Sequence, residues 1–413
     1  LVETIGEAFQ GYELSDDGRL LITSESPREA ALWDLATMQR ITTFDARGAV
    51  RFVNQGRAII YPDQNYNMRV WDIEPQSERG ILSAAIDGFG RTQYALSADG
   101  NTVAIVTQGE TIRIWSLIDM QQTVVIQSPQ PFKQVLLDAT GTRVIAVSEG
   151  SIMIWQVGGD PNPQIIAGSF PVRSSRLAAN DRLLLLGTHE TLSAGELATV
   201  DLNTGEVLLP YGFVTISPDG NWVGLIHSGR LRGAGSDVEL VYMPTNTHIS
   251  FPPSDPDTYS LSAADALQIT QDGRYAVRIV LHRTSSQVTL DRYDLSGAAF
   301  APTLAVGETS LAHALLNADG SRVFLWGERI GLYQTEPVSM LMESQTAAWS
   351  TRFLGDMLFV TQEHLGDTSV YDTQSGIYLN TIATAENFEF ALGGQLLLVY
   401  HRSTGVVVYG VTS

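Results

Sequence analysis

One unit recurs along this chain, and recurrence at a near-constant spacing limits the possible folds more than any composition does. Its clearest copy occupies residues 94–127. An apolar run is closed by Ser97-Ala98-Asp99-Gly100, a second run extends from Thr102 to Thr107, a third ends in Ile112-Arg113-Ile114-Trp115, and a fourth covers Thr123 to Gln127. Alternating β-branched and apolar residues bounded by Asp-Gly or Gln-Gly favour short strands joined by tight hairpins over helix.

The turn between the first two strands returns at 15–18, 54–56, 97–100, 139–141, 179–181, 217–220, 271–273, 318–320, 354–356 and 393–394. The end of the third strand provides an independent count: Trp33, Trp71, Trp115, Trp155, Val200, Val241 or Tyr242, Tyr293, Tyr333, Tyr371 and Tyr409. Both series contain ten members at a period of about 40, which lies in the range of propeller blades. The units run roughly 8–46, 47–90, 91–128, 129–171, 172–211, 212–264, 265–308, 309–346, 347–384 and 385–413. The tenth stops short of its fourth strand, and residues 1–7 have the length and pattern to supply it. The expected fold is therefore an all-β propeller of about ten four-stranded repeats, one closed ring whose last blade is completed by the N-terminal strand. Closure removes the open sheet edge that such folds must avoid. The alternative is two smaller propellers in tandem.

The chain resembles the WD-repeat β-propeller family, most clearly at Leu32-Trp33-Asp34-Leu35, Val70-Trp71-Asp72-Ile73, Ile114-Trp115-Ser116-Leu117 and Ile154-Trp155-Gln156-Val157. After about residue 160 Tyr-Asp replaces Trp-Asp, at Tyr293-Asp294 and Tyr371-Asp372. The Gly-His pair that opens a WD repeat is missing from every unit, so apolar packing of sheet on sheet is expected to hold the blades. The Asp-Gly turns are also similar to those of TolB-like propellers, the second choice of family. What the resemblance implies is a non-catalytic protein-protein interaction scaffold, a component of a larger assembly.

Composition excludes several functions. The 413 residues carry 45 acidic and 25 basic side chains, a formal net charge of −20, which opposes binding to nucleic acid or anionic membranes. Lys133 is the sole lysine and is followed by Gln134, so no Walker-type phosphate loop can be written. There is no cysteine, which removes disulfides, thiolate nucleophiles and Cys-ligated zinc. No apolar run is long enough to span a membrane. A chain without cysteine that begins at Leu1 points to a bacterial protein exported to the periplasm or cell surface.

Units five, six and seven have longer connections between strands two and three, at 188–195, 227–236 and 282–286, and unit six a long link from Pro252 to Ala264. In propeller geometry these loops share a face, and long loops on a rigid scaffold are the usual place for binding surfaces. The candidate partner-binding residues are Arg230, Arg232, His227, His189, His282, Arg283, Asp255 and Asp257. Arg230 and Arg232 stand among three glycines and could grip carboxylates. His189, His227, His282, His364 and His401 all fall near the end of a second strand. Satisfied strand-end caps account for them better than a metal site. The Asp-Gly turns match no calcium-ligand spacing and are assigned structural roles. No Gly-x-Ser-x-Gly elbow or sialidase Asp box is present. No catalytic residue, metal or cofactor is expected. The rival readings are a propeller binding carbohydrate or another small ligand, and a metal-dependent propeller enzyme of lyase or lactonase type.

Overall fold

The computed structural model describes residues 3–5, 11–82, 94–107, 110–170, 172–187, 197–227, 238–252, 258–260, 267–282, 287–308, 311–327, 329–345, 348–362, 367–382, 387–401 and 405–411. Strands dominate, and the one helical segment among these residues is a 3₁₀ turn at Leu392–Gly394. The protein is an all-β, ten-blade β-propeller whose last blade is completed by the N-terminal strand.

One backbone hydrogen bond recurs in all ten blades and fixes their common geometry. The residue after the third strand donates its N–H to the carbonyl of the residue that leaves the first turn. Examples are Leu35 to Arg19, Ile73 to Arg57, Leu117 to Asn101, Leu202 to Arg182 and Val411 to Gln395, at 2.8–3.0 Å. The third strand thus begins and ends at a defined height beside the second. This bond ties the two sequence signals, the turn and the aromatic, into one local structure.

The chain divides into two compact units, residues Leu1–Val172 with Ala385–Ser413, and Arg173–Thr384. In the first, Glu3–Ile5 pairs antiparallel with Gly405–Gly410, with Glu3 opposite Val408, Thr4 opposite Val407 and Ile5 opposite Val406. Ile5 is 2% exposed and packs in a core with Leu21, Leu35, Leu398, Tyr400 and Val408. In the second unit, Val207–Ile216 is one continuous strand. Its start pairs with Leu197–Asp201 of blade five and its end with Trp222–His227 of blade six. The link into blade seven contributes Thr258–Ser260, which pairs with Tyr275–His282 alongside Leu267–Ile269.

Each core cluster joins two neighbouring blades, as the missing polar network required. Trp33 packs with blade ten, Trp71 with blade one, Trp115 with blade two and Trp155 with blade three. Tyr293, Tyr333 and Tyr371 repeat the arrangement toward blades six, seven and eight. These side chains are core, and Trp155 at 1% exposure is among the largest fully buried.

Apolar packing is supplemented by arginine, which the sequence alone did not reveal. Arg79 Nη1 donates to the Leu117 carbonyl of blade three at 2.6 Å, and Arg322 Nε to the Thr373 carbonyl of blade nine at 2.9 Å. Arg182 reaches the Met243 carbonyl of blade six, and Arg51 pairs with Glu13 of blade one at 2.9 Å. A planar guanidinium can hold a carboxylate and a carbonyl together, which an ammonium does less well. That requirement accounts for a basic complement in which only Lys133 is lysine.

Candidate functional site

Most of the residues singled out from sequence, namely Arg230, Arg232, His189, Arg283, Asp255 and Asp257, lie outside the described residues. His227 ends the second strand of blade six, opposite Gly212. His282 also ends a second strand, and its Nε2 lies 3.1 Å from Thr289 Oγ1 on the adjoining strand. It is a satisfied strand-end cap. His248 pairs with Glu239 at 2.8 Å, and His313 stacks on Trp326 at 5.1 Å between centroids. His401 closes its strand opposite Gly405, and His364 lies outside the described residues. Among the described residues no three His, Asp or Glu side chains come together as a metal would need.

The turn aspartates are occupied within their own turns. Asp17 accepts from Ser15 Oγ at 2.6 Å and from the Arg19 N–H at 3.0 Å. Asp99 and Asp219 repeat this with Ser97 and Ser217, each at 2.5 Å, and Asp272 with Thr270 at 2.6 Å. The Ser15 hydroxyl leads in holding Asp17 below the ordinary carboxylate value. At Asp99 and Asp219 partial burial pushes upward and is outweighed by the serine hydroxyl and the asparagine N–H, so the net shift is also downward. These carboxylates stabilise their hairpins.

Two features remain. The first is a groove of about 780 Å³ between blades one and two, at the end of the sheets where the first turns and the third-to-fourth strand turns emerge. Arg19, Arg40 and Arg57 line it with Asp34, Glu74 and the apolar Ile41 and Ile73. Arg19 is clamped to Asp34 at 3.0 Å, and Arg40 pairs with Glu25 at 3.3 Å while lying 4.7 Å over the Trp33 ring. Partial burial raises the Asp34 carboxyl and is outweighed by Arg19 and the N–H groups of Thr37 and Ala36, leaving it below its ordinary value. Arg57 and Glu74 have no side-chain partner among the described residues.

The second feature is an exposed apolar patch on the outer strands of blades eight and nine. Ile377, Tyr378 and Leu379 are 63%, 52% and 49% exposed, and Met340 and Val338 are 55% and 42%. The turn that leads into the blade-nine strand meets the blade-eight strand, because a Cβ on Gly376 would lie 2.7 Å from the Leu341 carbonyl oxygen. Three successive apolar residues on an outer strand leave at least one facing water whatever the register. A run with that consequence, Ile377-Tyr378-Leu379, was readable in the sequence. A smaller hollow of about 410 Å³ beside Trp222 and Tyr242 is no stacking platform, since Trp222 already packs on Tyr242 at 4.8 Å and Tyr293 at 5.9 Å.

No protein-family model matches the chain, and no curated protein matches it. Solved propeller structures do. One, described as a crystal structure of the eukaryotic initiation factor, is 11% identical over 83% of this chain and 89% of its own, with a TM-score of 0.51. Another, the dihydro-heme d1 dehydrogenase NirN in complex with DHE, is 15% identical over 80% and 74%, with a TM-score of 0.40. The first likeness, at 11% identity, is one of fold alone.

Proposed function

We propose that this propeller is a non-catalytic interaction scaffold, a divergent relative of WD-repeat propellers, that binds a protein partner and takes part in a larger assembly. The observation that carries the reading is the set of exposed apolar side chains Val338, Met340, Ile377, Tyr378 and Leu379, on and beside the outer strands of two neighbouring blades. Folded proteins seldom leave such patches open, and outer strands also offer unpaired backbone groups to an incoming strand. With a net charge of −20 on the chain, complementarity favours a partner whose apolar contact is rimmed by basic residues. Absence of cysteine agrees with a place at the bacterial cell surface or in the periplasm.

The test is a pull-down from the native source with three baits: the parent, Met340→Glu with Ile377→Glu, and Arg230→Glu with Arg232→Glu. A partner enriched by the parent and lost with the first variant assigns the interface to the outer strands. Loss with the second variant assigns it instead to the loop face of blades five to seven. A partner retained by both removes both interface assignments, and background from all three removes the scaffold reading.

A further inference from the structure

We propose that the groove between blades one and two binds a small zwitterion, an α-amino acid with an aliphatic side chain, whose carboxylate is received by Arg57 and whose ammonium by Glu74. The argument begins with the repeat. In blades one and five the arginine that leaves the first turn is tied to the aspartate ending the third strand. Arg19 holds Asp34, and Arg182 holds Asp201 at 2.6 Å while also reaching the Met243 carbonyl of the next blade.

Arg57 occupies the same position in blade two. Its backbone makes the same bond, with the Ile73 N–H donating to the Arg57 carbonyl at 3.0 Å, and the matching aspartate is Asp72. Yet Asp72 is held by Arg79 of the fourth strand, at 3.0 Å from Nε and 2.5 Å from Nη2, and Arg79 also makes the bond to the next blade at Leu117. At the place of Arg79, blade five has Leu208, so Arg182 must serve there. In blade two the structural task is already done, and the Arg57 guanidinium is left exposed in the groove with its donors unused.

Glu74 stands on the adjoining turn, one residue beyond Ile73, and is also exposed and without a side-chain partner among the described residues. The two opposite charges line one groove and do not pair with each other. The other lining charges are already used, Arg19 by Asp34, Arg40 by Glu25, and Asp17 by its own turn. What remains is one fork of cationic donors and one anionic acceptor, with Ile41 and Ile73 beside them. A simple anion would satisfy Arg57, meet Glu74 as a like charge, and approach a chain of net charge −20. A zwitterion satisfies both groups and carries no net charge, and its aliphatic side chain covers the isoleucines.

The experiment is a ligand-observed saturation-transfer NMR titration of the full chain with L-leucine, N-acetyl-L-leucine and L-leucinamide at low salt. Leucine should bind saturably. Removing its ammonium or its carboxylate should each weaken binding about tenfold, the order expected for one charge-assisted contact. Arg57→Gln should abolish the preference for leucine over leucinamide and retain the preference over N-acetyl-leucine. Glu74→Gln should do the reverse. Absence of saturable leucine binding, equal binding of the three probes to the parent, or an unchanged preference in both variants overturns the proposal. The comparison of probes on the parent protein does not depend on how the variants fold.

Discussion

The most direct test of the fold is at Ile5, which enters blade ten from the opposite end of the sequence. Its side chain is 2% exposed among Leu21, Leu35, Leu398, Tyr400 and Val408, whereas Thr4, one residue before it, is exposed. Ile5→Ala removes three buried carbons where the surrounding strands can collapse only in part, a loss of about 2–5 kcal/mol. For folding units of about 150–250 residues each kcal/mol moves Tm by about 2–4 °C, so a fall of about 4–20 °C is expected. Thr4→Ala changes the same strand on its outer face and should stay within about 0.5 kcal/mol of the parent. Thermal melts followed by circular dichroism, with urea unfolding as a second probe, compare the two variants at one pH. Equal small shifts for both would refute the reasoning, because they would mean that Ile5 is not buried by closure of the last blade.

Three further outcomes are expected. Gly100→Ala should cost several times more stability than Gly56→Ala by urea midpoint: both sites have positive φ, but a Cβ at Gly100 would lie 2.4 Å from the Asn54 backbone nitrogen, while at Gly56 the nearest atom is 4.0 Å away. Arg182→Ala should destabilise by about 2–4 kcal/mol and Arg182→Lys should recover only part of it, since Asp201, 1% exposed, needs the fork that also reaches the Met243 carbonyl. Asp17, Asp99, Asp219 and Asp319 have carboxyls below their ordinary value in the folded protein, so their contribution is complete above the unfolded pKa and is lost as pH falls through the folded one. Urea midpoints should therefore decline below about pH 4, and Asp99→Asn should make that acid limb shallower.

Much of the architecture was legible because it is written twice in each unit. The Ser-x-Asp-Gly turns and the aromatic at the third strand end are separate signals, and the N–H to carbonyl bond between Leu117 and Asn101, or Leu35 and Arg19, explains why they keep a fixed spacing. The missing Gly-His pair predicted apolar contacts between blades, and the clusters around Trp115 and Trp155 are of that kind. Turns without Asp-Gly were harder to interpret. Asn54-Gln55-Gly56 and Ala179-Asn180-Asp181 each place three successive residues at positive φ, which for non-glycine residues costs about 1–2 kcal/mol apiece. That conformation is offset by docking on the next blade, where the Asn54 N–H meets the Gly100 carbonyl at 2.9 Å and Asn180 Nδ2 meets the Asp219 carbonyl at 2.8 Å.

The site was less legible for a reason that the arginines make concrete. In the bare sequence Arg19, Arg57, Arg79 and Arg182 look alike, four cations for the three aspartates Asp34, Asp72 and Asp201. Only the geometry separates them, because one aspartate accepts a limited number of guanidinium forks and the first to arrive leaves the other exposed. Arg79 and Arg57 compete for Asp72, and Arg79 holds it while also crossing to blade three. In blade five Leu208 removes the competitor, and the turn arginine becomes structural. A repeat protein thus acquires a candidate ligand-binding group without adding a motif, by duplicating a structural contact in one blade and leaving the displaced side chain at the rim of a groove. Signals that mark function in sequence, such as arginines among glycines or histidines at strand ends, point to Arg230, Arg232 and His282. Of these, the one described is a strand cap.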